Sequence, residues 1–175
     1  MAYSNLQGLG VAIVTPFKKD TSIDFHALES VLEFIIKGNA DFIVVLGTTA
    51  ETPTLSFDEK LRIREFIKTK VNGRLPLVLG YGSNNTKEIV ESLKNDDLSG
   101  FAAILSVVPF YNKPNQEGIY QHFKAIAEAS PIPVLIYNVP GRTGANITAS
   151  TTVRLAQECP NIICIKEASG NFDKI

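Results

Sequence analysis

Val11-Ala12-Ile13-Val14-Thr15-Pro16-Phe17 runs into Lys18-Lys19-Asp20-Thr21-Ser22-Ile23-Asp24-Phe25 without a single glycine. The first seven residues are almost continuously apolar, the pattern of a strand buried on both faces of a parallel sheet. In a doubly wound nucleotide-binding fold, the turn after such a strand carries the glycine-rich phosphate loop. Its absence favours the other architecture built from successive βα units, a TIM (β/α)8 barrel.

Working outward, runs rich in Val, Ile and Leu recur at 11–17, 42–47, 76–81, 101–107, 133–139 and 162–168. Their starts are separated by about 30 residues, the length of one βα unit. Helices are predicted between them. The clearest covers 56–73, where Ser56 and Glu59 form a capping box, Leu61, Ile63, Phe66, Ile67 and Val71 recur at helical spacing, and Gly73 is the expected stop. Others start near Asp24 (with Leu28, Val31, Leu32, Ile35 and Ile36 on one side, ending at Gly38), near Asn85 with Glu88, near Asn115 with Ile119, Phe123 and Ile126 inward, and at Thr148, running to Glu158. With no linker or repeat to divide it, residues 1–175 read as one partial barrel domain. A complete barrel needs eight strands and about 250 residues, whereas Ile175 falls where a sixth helix should begin, so the barrel is expected to be incomplete, at about six βα units.

The 175 residues carry 17 basic and 18 acidic side chains, a net charge of -1 and 45% apolar residues, with a mean hydropathy of +0.09. Such balance gives no electrostatic footprint for nucleic acid or an anionic membrane. No run is long and apolar enough for a membrane helix, and the first ten residues lack the layout of a secretory signal, so a cytoplasmic location is expected. Cys159 and Cys164 fit neither a disulfide framework nor a metal pair and read as buried free thiols. His26 and His122 have no partner at ligand spacing and read as half-exposed helix positions; no metal and no cofactor is implied. Gly80-Tyr81-Gly82 lacks the third glycine of a dinucleotide fingerprint, Asn85 taking its place.

Barrel chemistry sits at the C-terminal ends of the strands. There the sequence places Thr15, Gly47-Thr48-Thr49-Ala50-Glu51, Tyr111-Asn112, Tyr137-Asn138 and, within the sixth strand, Lys166. Alternation puts Lys166 on one face with Ile162 and Cys164. A lysine near a strand end is usually a solvated surface group, but a strand buried on both faces offers no easy solvated position. Desolvation that took such a lysine from about 10.4 to about 8 would raise its neutral fraction at pH 7 from on the order of 0.04% to about 10%. A neutral amine can attack a ketone and form a Schiff base, which serves as an electron sink. Tyr137, one strand away at the same depth, is placed to carry the proton, with Thr48 and a second phenol completing a relay.

Gly47-Thr48-Thr49-Ala50-Glu51, Val108-Pro109-Phe110-Tyr111-Asn112-Lys113-Pro114, Tyr137-Asn138-Val139-Pro140-Gly141-Arg142-Thr143-Gly144 and Ile165-Lys166-Glu167-Ala168-Ser169-Gly170 resemble, in order, the motifs of the dihydrodipicolinate synthases. The resemblance runs from Gly10 to Gly170. It implies a class I aldolase-type carbon-oxygen lyase of lysine and diaminopimelate biosynthesis that condenses pyruvate with aspartate 4-semialdehyde, acting as a homodimer or homotetramer. By position it implies Lys166 as the Schiff-base lysine, Tyr137 as the proton-transfer phenol, and Thr48 with Tyr111 as the rest of the relay, Tyr111 reaching into a neighbouring subunit. Thr49 would hold the pyruvate carboxylate and Arg142 that of the aldehyde, with Gly141 and Gly144 shaping its loop. Glu51 reads as a structural tie to loop backbone.

Ala50 stands where the family usually has glycine, and Phe110 where tyrosine often precedes Tyr111. In family members inhibited by lysine, two of the inhibitor-binding positions correspond to Asn84 and Glu88, while two others, often histidine, are Phe57 and Lys60 here; a cation at Lys60 would disfavour bound lysine. Two alternative readings stand beside the synthase. One is a related pyruvate-dependent aldolase of the N-acetylneuraminate lyase or 2-keto-3-deoxy sugar acid type, and the other is a non-catalytic fragment of the same enzyme.

Overall fold

The computed structural model describes residues 6–171. The order is β1 (Gly10–Ala12), α1 (Phe25–Lys37), β2 (Phe42–Val45), α2 (Phe57–Val71), β3 (Leu77–Gly80), α3 (Thr86–Asn95), β4 (Ala103–Val107), α4 (Gln116–Ala129), β5 (Val134–Asn138), α5 (Pro140–Thr143), α6 (Ala149–Glu158) and β6 (Ile162–Glu167). Each apolar run of the sequence contains a strand, and the five helices expected between the runs are present. The sixth helix expected near Ile175 lies outside the described residues. The described residues form two compact units, one up to Gly80 with Gly100–Ala102, and the other Tyr81–Ser99 with the residues from Ala103 onward.

In the first unit β1, β2 and β3 pair in parallel, with Val11 opposite Ile43 and Ile43 opposite Leu77. Leu28, Leu32 and Ile35 of α1 and Ile63, Ile67 and Val71 of α2 are buried, each such side chain contributing about 1.5–3 kcal/mol relative to exposure. Asp24 caps α1 by accepting from the Ala27 N–H at 3.0 Å. The Ser56–Glu59 capping box is formed in both directions, at 2.8 and 3.2 Å. The stop of α2 falls one residue before Gly73: Asn72, at φ 45°, takes the left-handed position and donates its N–H to the Lys68 carbonyl.

The first strand is shorter than its apolar run. Pro16 has no N–H to give to a ladder, and the chain turns back at once, Phe17 bridging Ile23 antiparallel and Lys18 N–H donating to the Ser22 carbonyl at 2.8 Å. The glycine-free segment is therefore a tight reversal, made possible by Thr21 at φ 69°, and it leads straight into α1.

In the second unit β4, β5 and β6 pair in parallel. Asn85, Asn115 and Thr148 cap α3, α4 and α6 through side-chain acceptors. Ile119, Phe123 and Ile126 of α4 and Leu155 of α6 are buried. His122 is not half-exposed as expected but buried, at 3% exposure. Its Nδ1 lies 2.8 Å from Thr86 Oγ1, and desolvation pushes its pKa down to about 4. The helical face that carries Ile119, Phe123 and Ile126 also takes in position 122, because the buried stripe of α4 is wider than the three residues that mark it in sequence. The cysteines differ as well: Cys159 is buried, but Cys164 is exposed.

Candidate active site

The first unit contributes the loop after β2. Leu46 turns it with a left-handed φ of 54°, and Thr48–Ala50 and Thr52–Thr54 form two single 3-10 turns separated by Glu51 at φ 55°. Ala50 is not among the left-handed residues, so alanine in place of glycine costs no backbone strain there. Gly80 lets the turn pass: a Cβ on it would stand 2.1 Å from the Leu46 carbonyl oxygen. Thr48 and Thr49 are exposed at the start of the first 3-10 turn, where the leading N–H groups have no acceptor within the turn.

The tie to loop backbone expected of Glu51 runs through its main chain, whose N–H donates to the Thr48 carbonyl and whose carbonyl accepts from Thr54; among the described residues its carboxylate makes no hydrogen bond. The side-chain ties are threonines: Thr15 Oγ1 donates to the Ala50 carbonyl at 2.9 Å, and Thr52 Oγ1 lies 2.9 Å from the carbonyls of both Leu46 and Gly47. A short hydroxyl reaches carbonyls that turn inward, whereas the exposed Glu51 side chain is aimed at solvent. The signal for Thr15 was its position at a strand end; Thr52 had none.

In the second unit Tyr137 of β5 stands opposite Lys166 of β6 in register, and Val107 of β4 stands opposite Tyr137. Paired residues point to the same side of a sheet, so these three share one face at the C-terminal ends of the strands. Tyr137 is buried at 8% exposure, and Lys166 Nζ lies over its ring, 4.5 Å from the centroid. Lys166 itself is exposed, as is Cys164 two residues before it. This corrects the expectation of a strand buried on both faces: among the described residues β6 pairs only with β5, and its side chains on the amine side, Cys164 and Lys166, are exposed. The face is shared with Cys164 but not simply with Ile162, because the register shifts between Val134 and Leu135, taking Ile162 out of the alternation.

Arg142 is exposed on α5, a single turn that Thr143 and Gly144 close. Thr143 is buried and its Oγ1 lies 2.8 Å from the Ala145 carbonyl. Of the two glycines expected to shape this loop only Gly144 has a left-handed φ, 69°, while Gly141 faces open space and needs no such freedom. Tyr111 is 85% exposed and sits at a left-handed φ of 72°. Its N–H donates to the Thr143 carbonyl at 3.2 Å, and the carbonyl of Phe110 accepts from Asn84 Nδ2 at 3.1 Å. The peptide group that leads into the strained Tyr111 is thus held at both its N–H and its carbonyl, while the ring is presented outward, next to the turn of Arg142. Lys166 and Tyr137 are brought together, and Tyr111 and Arg142 are linked through their loops.

The Dihydrodipicolinate synthetase family profile matches residues 5–175. This chain belongs to that family. It is 56% identical over 175 residues to the 4-hydroxy-tetrahydrodipicolinate synthase of Parabacteroides distasonis, covering 100% of this chain and 59% of the relative. With the synthase of Flavobacterium psychrophilum it shares 59% identity over 165 residues, covering 94% of this chain and 56% of that protein. Dihydrodipicolinate synthase from Thermotoga maritima superposes with a TM-score of 0.92 at 38% identity, over 97% of this chain and 57% of that one. The chloride-inhibited enzyme from Acinetobacter baumannii, solved as a complex with pyruvate, gives 0.91 at 47% identity, over 97% and 58%.

The fold is accordingly the family's TIM barrel in incomplete form, with six strands among the described residues. The chain spans about three-fifths of the length of the curated relatives it matches. Among the described residues no helix is long and apolar enough to cross a membrane.

Proposed function

We propose that this chain carries the pyruvate-activating part of a 4-hydroxy-tetrahydrodipicolinate synthase, which condenses pyruvate with aspartate 4-semialdehyde in lysine and diaminopimelate biosynthesis in the cytoplasm. The observation that carries the reading is the Lys166 amine over the Tyr137 ring at 4.5 Å, on one sheet face at the strand ends. In this reading the Lys166 amine adds to the ketone carbon of pyruvate, and the carbinolamine loses water to give the imine. Loss of a methyl proton then yields an enamine, whose carbon attacks the aldehyde of the second substrate. Tyr137 passes the protons that these steps release and require, with Thr48 and a neighbouring subunit's Tyr111 completing the relay in a homodimer or homotetramer.

Thr49 and its N–H take the pyruvate carboxylate. Arg142 takes the aldehyde's carboxylate, since a guanidinium fork suits a carboxylate bidentately and α5 presents it to solvent at a strand end. These roles rest on position and residue type. The exposure of Lys166, which leaves its amine in solvent, favours a second reading, that this chain does not form the Schiff base.

One experiment separates the two. The chain is incubated with pyruvate and borohydride, and any reduced adduct is located by peptide mass mapping. An adduct on Lys166, absent in Lys166→Ala, supports the synthase reading. No adduct from a chain with native circular dichroism refutes Schiff-base competence in this polypeptide. If an adduct forms, a panel of aldehydes follows: turnover of N-acetylmannosamine or a sugar aldehyde in place of aspartate 4-semialdehyde would reassign it to a related aldolase.

A further inference from the structure

We propose that Asn138 is a positioning residue that holds the lysine-bearing strand and the arginine-bearing loop in one frame, an inference that rests on the roles proposed for Lys166 and Arg142. Asn138 follows Tyr137 on β5, projects to the opposite face of the sheet, and is wholly buried, at 0% exposure. Its Nδ2 donates to Glu167 Oε2 at 2.8 Å and to Asn146 Oδ1 at 2.9 Å, and its Oδ1 accepts from the Ile147 N–H at 3.3 Å. Its backbone carbonyl accepts from the Ala168 N–H at 2.9 Å. Both amide donors and the acceptor are in use, and they lead to two separate segments.

The first arm sets register. Along β5 and β6 the pairing is not uniform: Val134 faces Ile162, but the next pair is Leu135 with Cys164, leaving Ile163 as the extra residue. A strand that absorbs one extra residue can absorb it at more than one place, and a slip of one position turns every side chain beyond it to the other face. For Lys166 that means leaving the face of Tyr137. Backbone ladders are chemically alike at every register and do not choose between them. The Asn138–Glu167 bond, one position beyond the Tyr137–Lys166 pair, does choose, because it matches an amide donor to one particular carboxylate. Glu167 is oriented in turn by the Ser169 N–H, which donates to its Oε1 at 2.7 Å.

The second arm holds the exit of the loop that carries Arg142. Asn146 and Ile147 lie just past α5, and Gln116 grips the same stretch from outside, its Nε2 donating to the Asn146 carbonyl at 2.8 Å. Of these two clamps only Asn138 also reaches β6. One buried amide therefore ties the position of the amine to the position of the guanidinium.

The test is Asn138→Asp, which keeps the shape but puts an oxygen where the NH2 group donates to two oxygens, and its partner Asn138→Asp/Glu167→Gln, which returns a donor across the same gap. Amide hydrogen exchange on the intact chain reads the positioning without any substrate. Loss of a buried bond to a charged acceptor should speed exchange about tenfold at residues 145–148 and 164–168, with β4 unchanged, and the double variant should recover 164–168. Borohydride trapping of pyruvate on Lys166 should slow in parallel and recover in the double variant. Unchanged exchange in Asn138→Asp, or equal loss in both variants, overturns the proposal. If the parent chain forms no adduct, the synthase reading fails while the exchange data still decide the role of Asn138.

Discussion

His122 gives this fold a pH dependence that can be worked out in advance. The imidazole is buried between α4 and its surroundings, with Nδ1 at 2.8 Å from Thr86 Oγ1, and among the described residues its buried Nε2 has no hydrogen-bond partner. Burial therefore penalises the charged form, lowering the pKa from 6.5 to about 4. Between these values the unfolded chain binds a proton that the folded chain does not, so stability falls as the pH falls. It is fully present above about pH 7 and is lost progressively towards pH 4.

At pH 5 the folded imidazole is still largely neutral while the unfolded one is almost fully charged. The difference is about 1.5 pH units' worth of proton binding, or about 2 kcal/mol. Because pH 5 lies above the folded value, this figure is set mainly by the unfolded pKa.

The perturbation is His122→Gln, which keeps a polar group facing Thr86 but cannot titrate. Urea unfolding followed by far-UV circular dichroism, at pH 7.5 and pH 5, gives each protein's loss of stability. The parent is expected to lose about 2 kcal/mol more than the variant over that interval. Carboxylates with lowered pKa, such as Glu59 and Glu158, act chiefly below pH 5 and are common to both proteins. Equal pH slopes for parent and variant would refute the reasoning, as would an imidazole proton resonance for His122 that titrates near 6.5.

Three further outcomes follow from the same structure. Gly80→Ala should destabilise the first unit by about 2 kcal/mol or more, since its Cβ would meet the Leu46 carbonyl oxygen at 2.1 Å and backbone must move; a melting temperature within a degree of the parent's would contradict this. Cys164 should react with a disulfide reagent far faster than buried Cys159 in the native chain, and Cys164→Ser should abolish that fast phase; because desolvation raises its thiol pKa, the rate should still be climbing with pH above the midpoint of a free thiol. For a complete enzyme with this sequence we propose weak or absent inhibition by lysine, on the strength of Lys60 and Phe57; half-inhibition by sub-millimolar lysine in steady-state kinetics would count against it.

Fold class and most element positions were legible because they depend on local patterns. Continuous apolar runs mark strands covered on both faces, and Ser56 with Glu59 marks a helix start through bonds that span three residues. The absence of glycine after Phe17 excluded a phosphate loop, and comparison with known proteins bears out the barrel. The four motifs at strand ends carried the family, since each is contiguous in sequence.

Other features depend on distant parts of the chain. Lys166 was expected to be desolvated because β6 is apolar, but exposure is a property of what lies across the strand, and among the described residues only β5 flanks it. The roles of Thr52 and Asn138 have no local signature: a hydroxyl or an amide gains its meaning from which carbonyl or carboxylate the tertiary fold brings to it. His122 looked like a surface residue by type and was buried by the width of the α4 stripe. Sequence thus determined which elements form and which chemistry they can bear, because caps, periodicity and residue type act within a few positions. Tertiary structure alone decided solvation, register and the pairing of buried polar atoms, because those are set by residues brought together from separate segments.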